Sequence, residues 1–203
     1  RRLGNCSLAR VNGTCMMLSL LEFNNRTPAD QATLARRGGG EKKISEASQF
    51  LSTFAEETKE VCRLLGGKGK AVILMGELSN QGARMRTKAV HDVIATDECK
   101  GIEIIEEQTA NWQRTQGSDL VTNWLSSGLD FNAVIANNDE MAIGAIQALK
   151  SAGKDMKEYV VAGVDATQDA LAAMEAGDLD ATVFQNAAGQ GSGSVDAALK
   201  LAR

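Results

Sequence analysis

The sequence is poor in several residues and patterns on which common functions depend. Its 203 residues include one histidine and one proline, and aromatic residues make up 4% of the chain. With His91 alone, neither histidine-based catalysis nor a histidine-rich metal site is expected, and His91 itself is assigned a structural role. The longest apolar run covers residues 16–21 and is followed by Glu22, whereas a membrane span needs roughly 18 to 20 apolar residues. Membrane insertion is therefore not expected.

The charge balance and the placement of the cysteines argue against further classes. The formal net charge is −4 and no basic tract occurs, whereas nucleic-acid binding depends on lysines and arginines that neutralise phosphates. The four cysteines, at positions 6, 15, 62 and 99, form no C-x-x-C pair, so no zinc ribbon or thioredoxin-type redox motif is indicated. Cys62 and Cys99 could form a disulfide in an oxidising compartment, a pairing that the sequence leaves open. The first residues lack the succession of regions typical of a signal peptide, so none is expected in this chain.

From residue 71 onward, short apolar runs alternate with amphipathic stretches. The runs predict strands over residues 71–76, 102–108, 133–137, 160–164 and 181–184. Several of them are apolar throughout, which is typical of strands buried on both faces of a parallel sheet covered by helices.

The stretches between the strands have the periodicity and the ends of helices. They predict helices over residues 83–95, 114–126, 140–151, 168–176 and 192–202, with a further helix over 57–65 before the first strand. Gly128, Gly153 and Gly177 follow three of these helices, where a left-handed cap is favoured. Repeated strand–helix units predict an α/β fold with a doubly wound parallel sheet and right-handed crossovers.

The first part of the chain has a different character. Residues 1–55 hold the only proline, Pro28, and a run of three glycines at 38–40, and they contain one plausible buried run. We therefore expect an incomplete or irregular segment over 1–55, a ligand-binding α/β unit over 56–185, and a final helical segment over 186–203.

Polar and aromatic side chains follow each predicted strand. Because ligands of open α/β sheets bind at the carboxyl ends of the strands, these residues are the candidate site. They are Arg84, Trp112, Asn138, Asp165 and Gln185.

This set suits a neutral ligand with many hydroxyl groups. Vicinal hydroxyls pair with planar groups, here Arg84 as donor, Asp165 as acceptor, and Asn138 and Gln185 as both. Trp112 would offer a flat apolar face to a sugar or cyclitol ring. A glycosidase needs two converging carboxylates, and Asp165 has only Asp139 and Glu77 as candidate mates at other strand ends. Binding without catalysis, and without a cofactor, is therefore predicted, and Asp139 is assigned to the first helical turn.

Several motifs also resemble a known family. SNQGARMR, EEQTANWQRTQG, ANNDEMAIGAIQAL, VVAGVDATQDAL and ATVFQNAAGQG occur in this order between residues 79 and 191. They are similar to the ribose-binding type of periplasmic solute-binding proteins, and within it to the inositol and rhizopine binders of sugar ABC transporters.

The resemblance implies a type I periplasmic binding protein lobe and a role in carbohydrate import. In that family two lobes close over one sugar, and the liganded form meets a membrane permease in the periplasm. Carried over to this sequence, the contacts of the C-terminal lobe are again Arg84, Trp112, Asn138, Asp165 and Gln185, with myo-inositol-like ligands first among the candidates. Arg86 competes with Arg84 for the arginine role. Residues 186–203 would return to the N-terminal lobe, whose own ligand-binding motifs are not recognisable in residues 1–55.

Two other functions stay open at this point. Lac-repressor-type regulators share the lobe architecture, and a ligand-sensing domain of that kind would carry a helix-turn-helix at its N-terminus, which residues 1–55 do not display. A carbohydrate-active enzyme would require a second carboxylate beside Asp165 that faces the cleft.

Overall fold

The computed structural model describes residues 10–11, 14–15 and 46–185, together with Ser192, Val195 and Leu199, and it describes side chains from Ala55 to Gln185 and at those last three positions. Most of the segment predicted as irregular therefore lies outside the described residues. So does most of the predicted final helix, although its three described residues are helical.

The described elements alternate as the sequence predicts. They are β1 (Arg10–Val11), β2 (Thr14–Cys15), α1 (Glu46–Leu64), β3 (Lys68–Met75), α2 (Gln81–Ile94), β4 (Gly101–Thr109), α3 (Arg114–Ser126), β5 (Ala133–Ala136), α4 (Asp139–Ser151), β6 (Val160–Asp165), α5 (Gln168–Ala176) and β7 (Ala181–Phe184), with a short 3-10 turn at Met156–Glu158. β1 and β2 pair with each other in antiparallel orientation.

Strands β3 to β7 form one parallel sheet in the order β4-β3-β5-β6-β7. The chain moves outward from β3 to β4 and then returns to the other side of β3 for β5. This reversal creates a crevice between the loops that follow β3 and β5, which is the usual ligand position in such sheets. The predicted α/β fold class is confirmed.

Helices cover both faces of this sheet, which explains the apolar character of its central strands. Alternate side chains of β3 point to opposite faces: Ile73 belongs to the cluster beneath α1 and α2, and Leu74 to the cluster with α3, α4 and α5. Ile73 and Leu74 are both fully buried.

Short polar residues begin the helices at the carboxyl edge of the sheet. The side-chain oxygens of Asn80, Asn138 and Thr167 accept hydrogen bonds from backbone N–H groups in the first turns of α2, α4 and α5. After the carboxyl ends of α3, α4 and α5, Gly128, Gly153 and Gly177 have positive φ values, as predicted. The site residues are therefore fixed by the same loops that start the helices.

Two element starts differ from prediction by three residues or more. Helix α1 begins at Glu46 instead of residue 57, so it crosses the boundary expected at 55/56. β3 begins at Lys68, three residues early, because Lys68 and Gly69 pair through their backbones with Gly101 and Ile102 of β4. Hydrophobic periodicity reports side-chain burial and does not detect such backbone pairing.

Two further features bear on the sequence expectations. Cys62 and Cys99 form a disulfide with their Cα atoms 5.6 Å apart, which joins α1 to the loop between α2 and β4. His91 lies on the surface of α2 with its Nε2 2.7 Å from Glu107 Oε2. None of the helices in the described part of the chain combines the length and the apolar character that crossing a membrane requires.

Candidate functional site

The loops after β4 and at the end of β6 have an unusual backbone. Among the residues that the structure describes, four non-glycine residues have positive φ values, in two adjacent pairs: Asn111 (50°) with Trp112 (65°), and Asp165 (121°) with Ala166 (53°). Residues with a side chain disfavour these backbone conformations. Such conformations persist only where the surrounding structure holds them, often at ligand sites. Trp112 and Asp165, two of the predicted contacts, thus occupy the strained positions.

Arg86 of α2 connects the loops after β4 and β5 with the end of β6. Its guanidinium lies 5.2 Å from the centroid of the Trp112 ring and 3.9 Å from Asp165 Oδ1, and it donates a hydrogen bond to the carbonyl of Asn137. Arg86 is only 8% exposed. A cation stacked on an aromatic ring and paired with a carboxylate orients both groups at once.

Asp165 is the carboxylate at the centre of this arrangement. Its Oδ1 accepts a hydrogen bond of 2.8 Å from Gln185 Nε2, which ties the end of β6 to the residue after β7. Burial raises the pKa of the Asp165 carboxyl, while Arg86 and Gln185 oppose that rise. A partly desolvated carboxylate of this kind is a strong hydrogen-bond acceptor for a ligand hydroxyl.

Asn138 supports the site from the loop between β5 and α4. Its side-chain oxygen accepts from Met141 N at 3.0 Å, and its Nδ2 donates to the carbonyl of Trp112 at 3.3 Å. The same side chain therefore starts α4 and anchors the backbone of the aromatic residue.

Arg84 lies apart from the other predicted residues. Its exposed guanidinium donates two hydrogen bonds of 2.8 Å to the carbonyls of Leu78 and Ser79 in the loop that precedes α2. The contacts of the described residues thus join Trp112, Asn138, Asp165 and Gln185 through Arg86 and place Arg84 at the rim.

Asp139 is a structural member of the site that the sequence did not distinguish from an ordinary helix-start residue. It is fully buried, and it accepts hydrogen bonds from Thr182 Oγ1 at 2.6 Å and from Thr167 N at 2.8 Å. Burial raises the pKa of its carboxyl from 3.8 to about 6. Asp139 thereby fixes the loop after Asp165 against α4 and β7.

Glu57 of α1 adds a second buried carboxyl on the other face of the sheet. It is 2% exposed, and burial raises its pKa well above the ordinary value, although Arg86 acts in the opposite direction. Asp139 and Glu57 interact electrostatically with Asp165, but neither is exposed at the edge of the sheet. The second cleft-facing carboxylate that a glycosidase would require is therefore supplied by neither residue.

Signals for these additional residues were weak in the sequence. Arg86 shares the A-R-x-R motif with Arg84, and only packing reveals which guanidinium turns inward. Within the described ranges, no group of three or more His, Cys, Asp or Glu side chains is arranged to hold a metal ion.

Comparisons with known proteins agree on one family. A family model for a periplasmic binding protein domain matches residues 29–203. A Rhizobium meliloti protein named for rhizopine binding is 64% identical over 183 residues, which cover 90% of this chain and 58% of that protein. A xylitol-binding protein of Mycolicibacterium smegmatis is 38% identical over 137 residues, covering 67% of this chain and 38% of that protein.

A solved structure gives the same picture. The ABC transporter solute-binding protein of Bacillus halodurans with bound myo-inositol superimposes with a TM-score of 0.68 at 44% identity, covering 73% of this chain and 50% of that one. The chain spans about half the length of the relatives it matches.

Proposed function

Because the chain belongs to the periplasmic binding protein domain family, we propose that it is the ligand-binding lobe of a solute-binding protein that delivers a sugar or cyclitol to an ABC importer. The observation that carries this proposal is the cluster of Trp112, Asp165 and Gln185 around Arg86 at the carboxyl edge of the sheet. This cluster offers donors, an acceptor and an aromatic ring at the position where such sheets bind ligands.

The ligand is a monosaccharide or a cyclitol, with myo-inositol first among the candidates. Asp165 accepts hydrogen bonds from its hydroxyls, Gln185 and Asn138 act as donor or acceptor, and Trp112 covers an apolar face of its ring. The names of the relatives, which refer to rhizopine, xylitol and myo-inositol, support a small polyhydroxylated ligand.

Arg84 contributes from the rim. Its guanidinium bonds only to backbone carbonyls of an exposed loop, so a rotation of the side chain exchanges those bonds for bonds to a ligand at little cost. Arg86 is already held in the cluster and acts by positioning Asp165 and Trp112.

Transport follows from ligand-dependent closure. A second lobe, of the kind the longer relatives have room for, closes over the occupied edge, and the closed form engages a membrane permease. The chain works without catalysis, in the periplasm. The Cys62–Cys99 disulfide supports this location, because disulfides persist in oxidising compartments.

The test is a titration of the 203-residue chain with myo-inositol, xylitol and D-ribose by calorimetry, with saturation-transfer NMR for weak binding. Asp165→Asn should lower the affinity by about tenfold or more, because the amide replaces an acceptor oxygen by a donor. Asp130→Asn is the matched control, since exposed Asp130 bonds to Lys70 near the start of β3, at the opposite edge of the sheet.

Absence of binding to every polyol by both methods would contradict the proposed function. An unchanged affinity of Asp165→Asn, or an equal loss in Asp130→Asn, would contradict the assignment of the site.

A further inference from the structure

Gly76, the first residue after β3, lies directly against the aromatic side chain of the candidate site. We propose that Gly76 is a positioning residue that sets the place of the Trp112 indole and thereby the tightness of ligand binding. The contact itself rests on the geometry of Gly76 and Trp112, whereas its effect on ligand affinity rests on the proposed function.

The space beside Gly76 is filled by the Trp112 ring. A Cβ atom added to Gly76 would lie 2.2 Å from Cζ2, 2.3 Å from Cε2 and 2.4 Å from Cη2 of Trp112. Non-bonded carbon atoms approach to about 3.5 Å at their optimum. Any other residue at position 76 therefore requires the indole or the backbone to move.

The backbone of Gly76 is held from two sides. Its N–H donates to Asn137 Oδ1 at 3.1 Å, and its carbonyl accepts from Thr109 Oγ1 at 2.8 Å. These bonds fix it to the ends of β5 and β4, and the carbonyl of Met75 accepts a further bond from Ala110 N. Displacing the backbone would break this network, so the indole is the part that must yield.

Movement of the indole would disturb its contacts with other residues of the candidate site. Arg86 lies against the ring, and Asn138 Nδ2 bonds to the Trp112 carbonyl. Because Arg86 also lies beside Asp165, a displaced ring disturbs the aromatic surface and the carboxylate together. A single methyl group at position 76 thus reaches both ligand-facing groups.

The experiment is a double-mutant cycle of Gly76→Ala and Trp112→Ala, with myo-inositol affinity measured by calorimetry or saturation-transfer NMR and folding by thermal melting. Gly76→Ala should weaken binding by about tenfold or more while Trp112 is present, and it should add almost nothing in Trp112→Ala, where the obstructing ring is gone. If Gly76→Ala does not fold, recovery of the fold in the double variant supports the same clash.

The position of the ring has its own readout. The chain has two tryptophans, so a Trp124→Phe background leaves Trp112 as the sole fluorescent indole, and Gly76→Ala should shift its emission. The inference would be overturned if Gly76→Ala bound with wild-type affinity, or if its effect persisted fully in the Trp112→Ala background. It would also be overturned if neither Gly76→Ala nor the double variant folded, or if the emission did not change. A wild-type chain that binds no polyol contradicts the proposed function instead, and the emission shift still decides whether Gly76 places the ring.

Discussion

Asp165 presents its carboxylate from a backbone angle that few non-glycine residues adopt. With φ at 121°, the residue pays a conformational cost that a glycine at the same place would avoid. The carboxylate lies there next to Arg86 and Gln185, which is the pattern expected where ligand binding opposes stability.

The free energies of unfolding of two substitutions at position 165 test this strain. Asp165→Gly and Asp165→Ala both lose the carboxylate, but only glycine relieves the positive φ, so Asp165→Gly should be more stable by about 1–2 kcal/mol in urea unfolding. At Asp169, in the first turn of α5, the same pair should show the opposite order because alanine is the better helix former. Equal stabilities at position 165 would contradict the argument.

Asp139 predicts a specific pH dependence of stability. Its folded pKa of about 6 lies above the ordinary 3.8, so between these values the folded state binds a proton that the unfolded state lacks. The free energy of unfolding should therefore decrease as pH rises through this window, by about 3 kcal/mol from this group, and level off above it.

Asp139→Asn should remove that part of the slope. Burial raises the pKa of Glu57 and Asp165 in the same direction, with Arg86 opposing, so these two groups keep a residual slope in both proteins. The difference between the two profiles reports the titration of Asp139 together with its electrostatic coupling to them. Urea unfolding at a series of pH values measures it. A constant offset between the profiles would show that Asp139 does not titrate in this window.

At the scale of elements, α3 and α4 pack with their backbones in contact. A Cβ on Gly144 would lie 2.1 Å from the carbonyl oxygen of Arg114, and one on Gly117 would lie 2.8 Å from that of Met141. Arg114 also forms ion pairs with Glu140 of α4 and Asp169 of α5. This close approach helps to place the starts of three helices at the rim of the candidate site.

Gly144→Ala brings two effects into opposition. Helix propensity favours alanine by about 1 kcal/mol, whereas overpacking against the Arg114 carbonyl costs about 1–3 kcal/mol. Because backbone cannot yield as a side chain does, we expect net destabilisation in urea unfolding. Gln147→Ala, at an exposed position of the same helix, should change stability little. A stabilised Gly144→Ala would mean that the two helices separate without penalty.

Elements were predictable where local patterns report burial. Helices α3 and α5 and strand β7 have the predicted bounds, because their apolar spacing and their end residues agree. In the sequence, Phe50, Leu51 and Phe54 indicate only a short helix before residue 57, and the pattern does not show that it is continuous with the helix predicted over 57–65. The start of β3 was missed because its first residues pair through the backbone alone.

At the scale of the whole molecule, the Cys62–Cys99 disulfide closes a loop that contains β3 and α2. The two cysteines are 37 residues apart in sequence. In the loop-entropy model, a cross-link of this span lowers the conformational entropy of the unfolded chain and thereby raises the free energy of unfolding by about 4 kcal/mol.

The double variant Cys62→Ser/Cys99→Ser should lose stability of that order in urea unfolding. Reductant should destabilise the wild-type chain similarly and leave the double variant nearly unchanged. Any destabilisation by reductant that remains in the double variant would come from Cys6 or Cys15. If reductant destabilised the double variant as much as the wild-type chain, the assigned role of the Cys62–Cys99 disulfide would be contradicted.

The sequence by itself determined the fold class and the edge of the sheet at which we propose the site. Buried strands, helix periods and the polar residues that follow each strand are local features, and parallel strands necessarily bring their carboxyl ends to one edge. For that reason the sequence could predict that Trp112, Asn138, Asp165 and Gln185 lie at one edge of the sheet, while their role as ligand contacts stays a proposal.

Only the tertiary structure decided which arginine turns inward and what holds the site in place. Arg84 and Arg86 are two residues apart in one motif, and helix geometry, with about 100° between successive residues, sends one to the rim and the other beneath Trp112. The roles of Gly76, Asp139 and Glu57 depend on contacts between elements distant in sequence. Such contacts follow from packing in three dimensions, which no local pattern encodes.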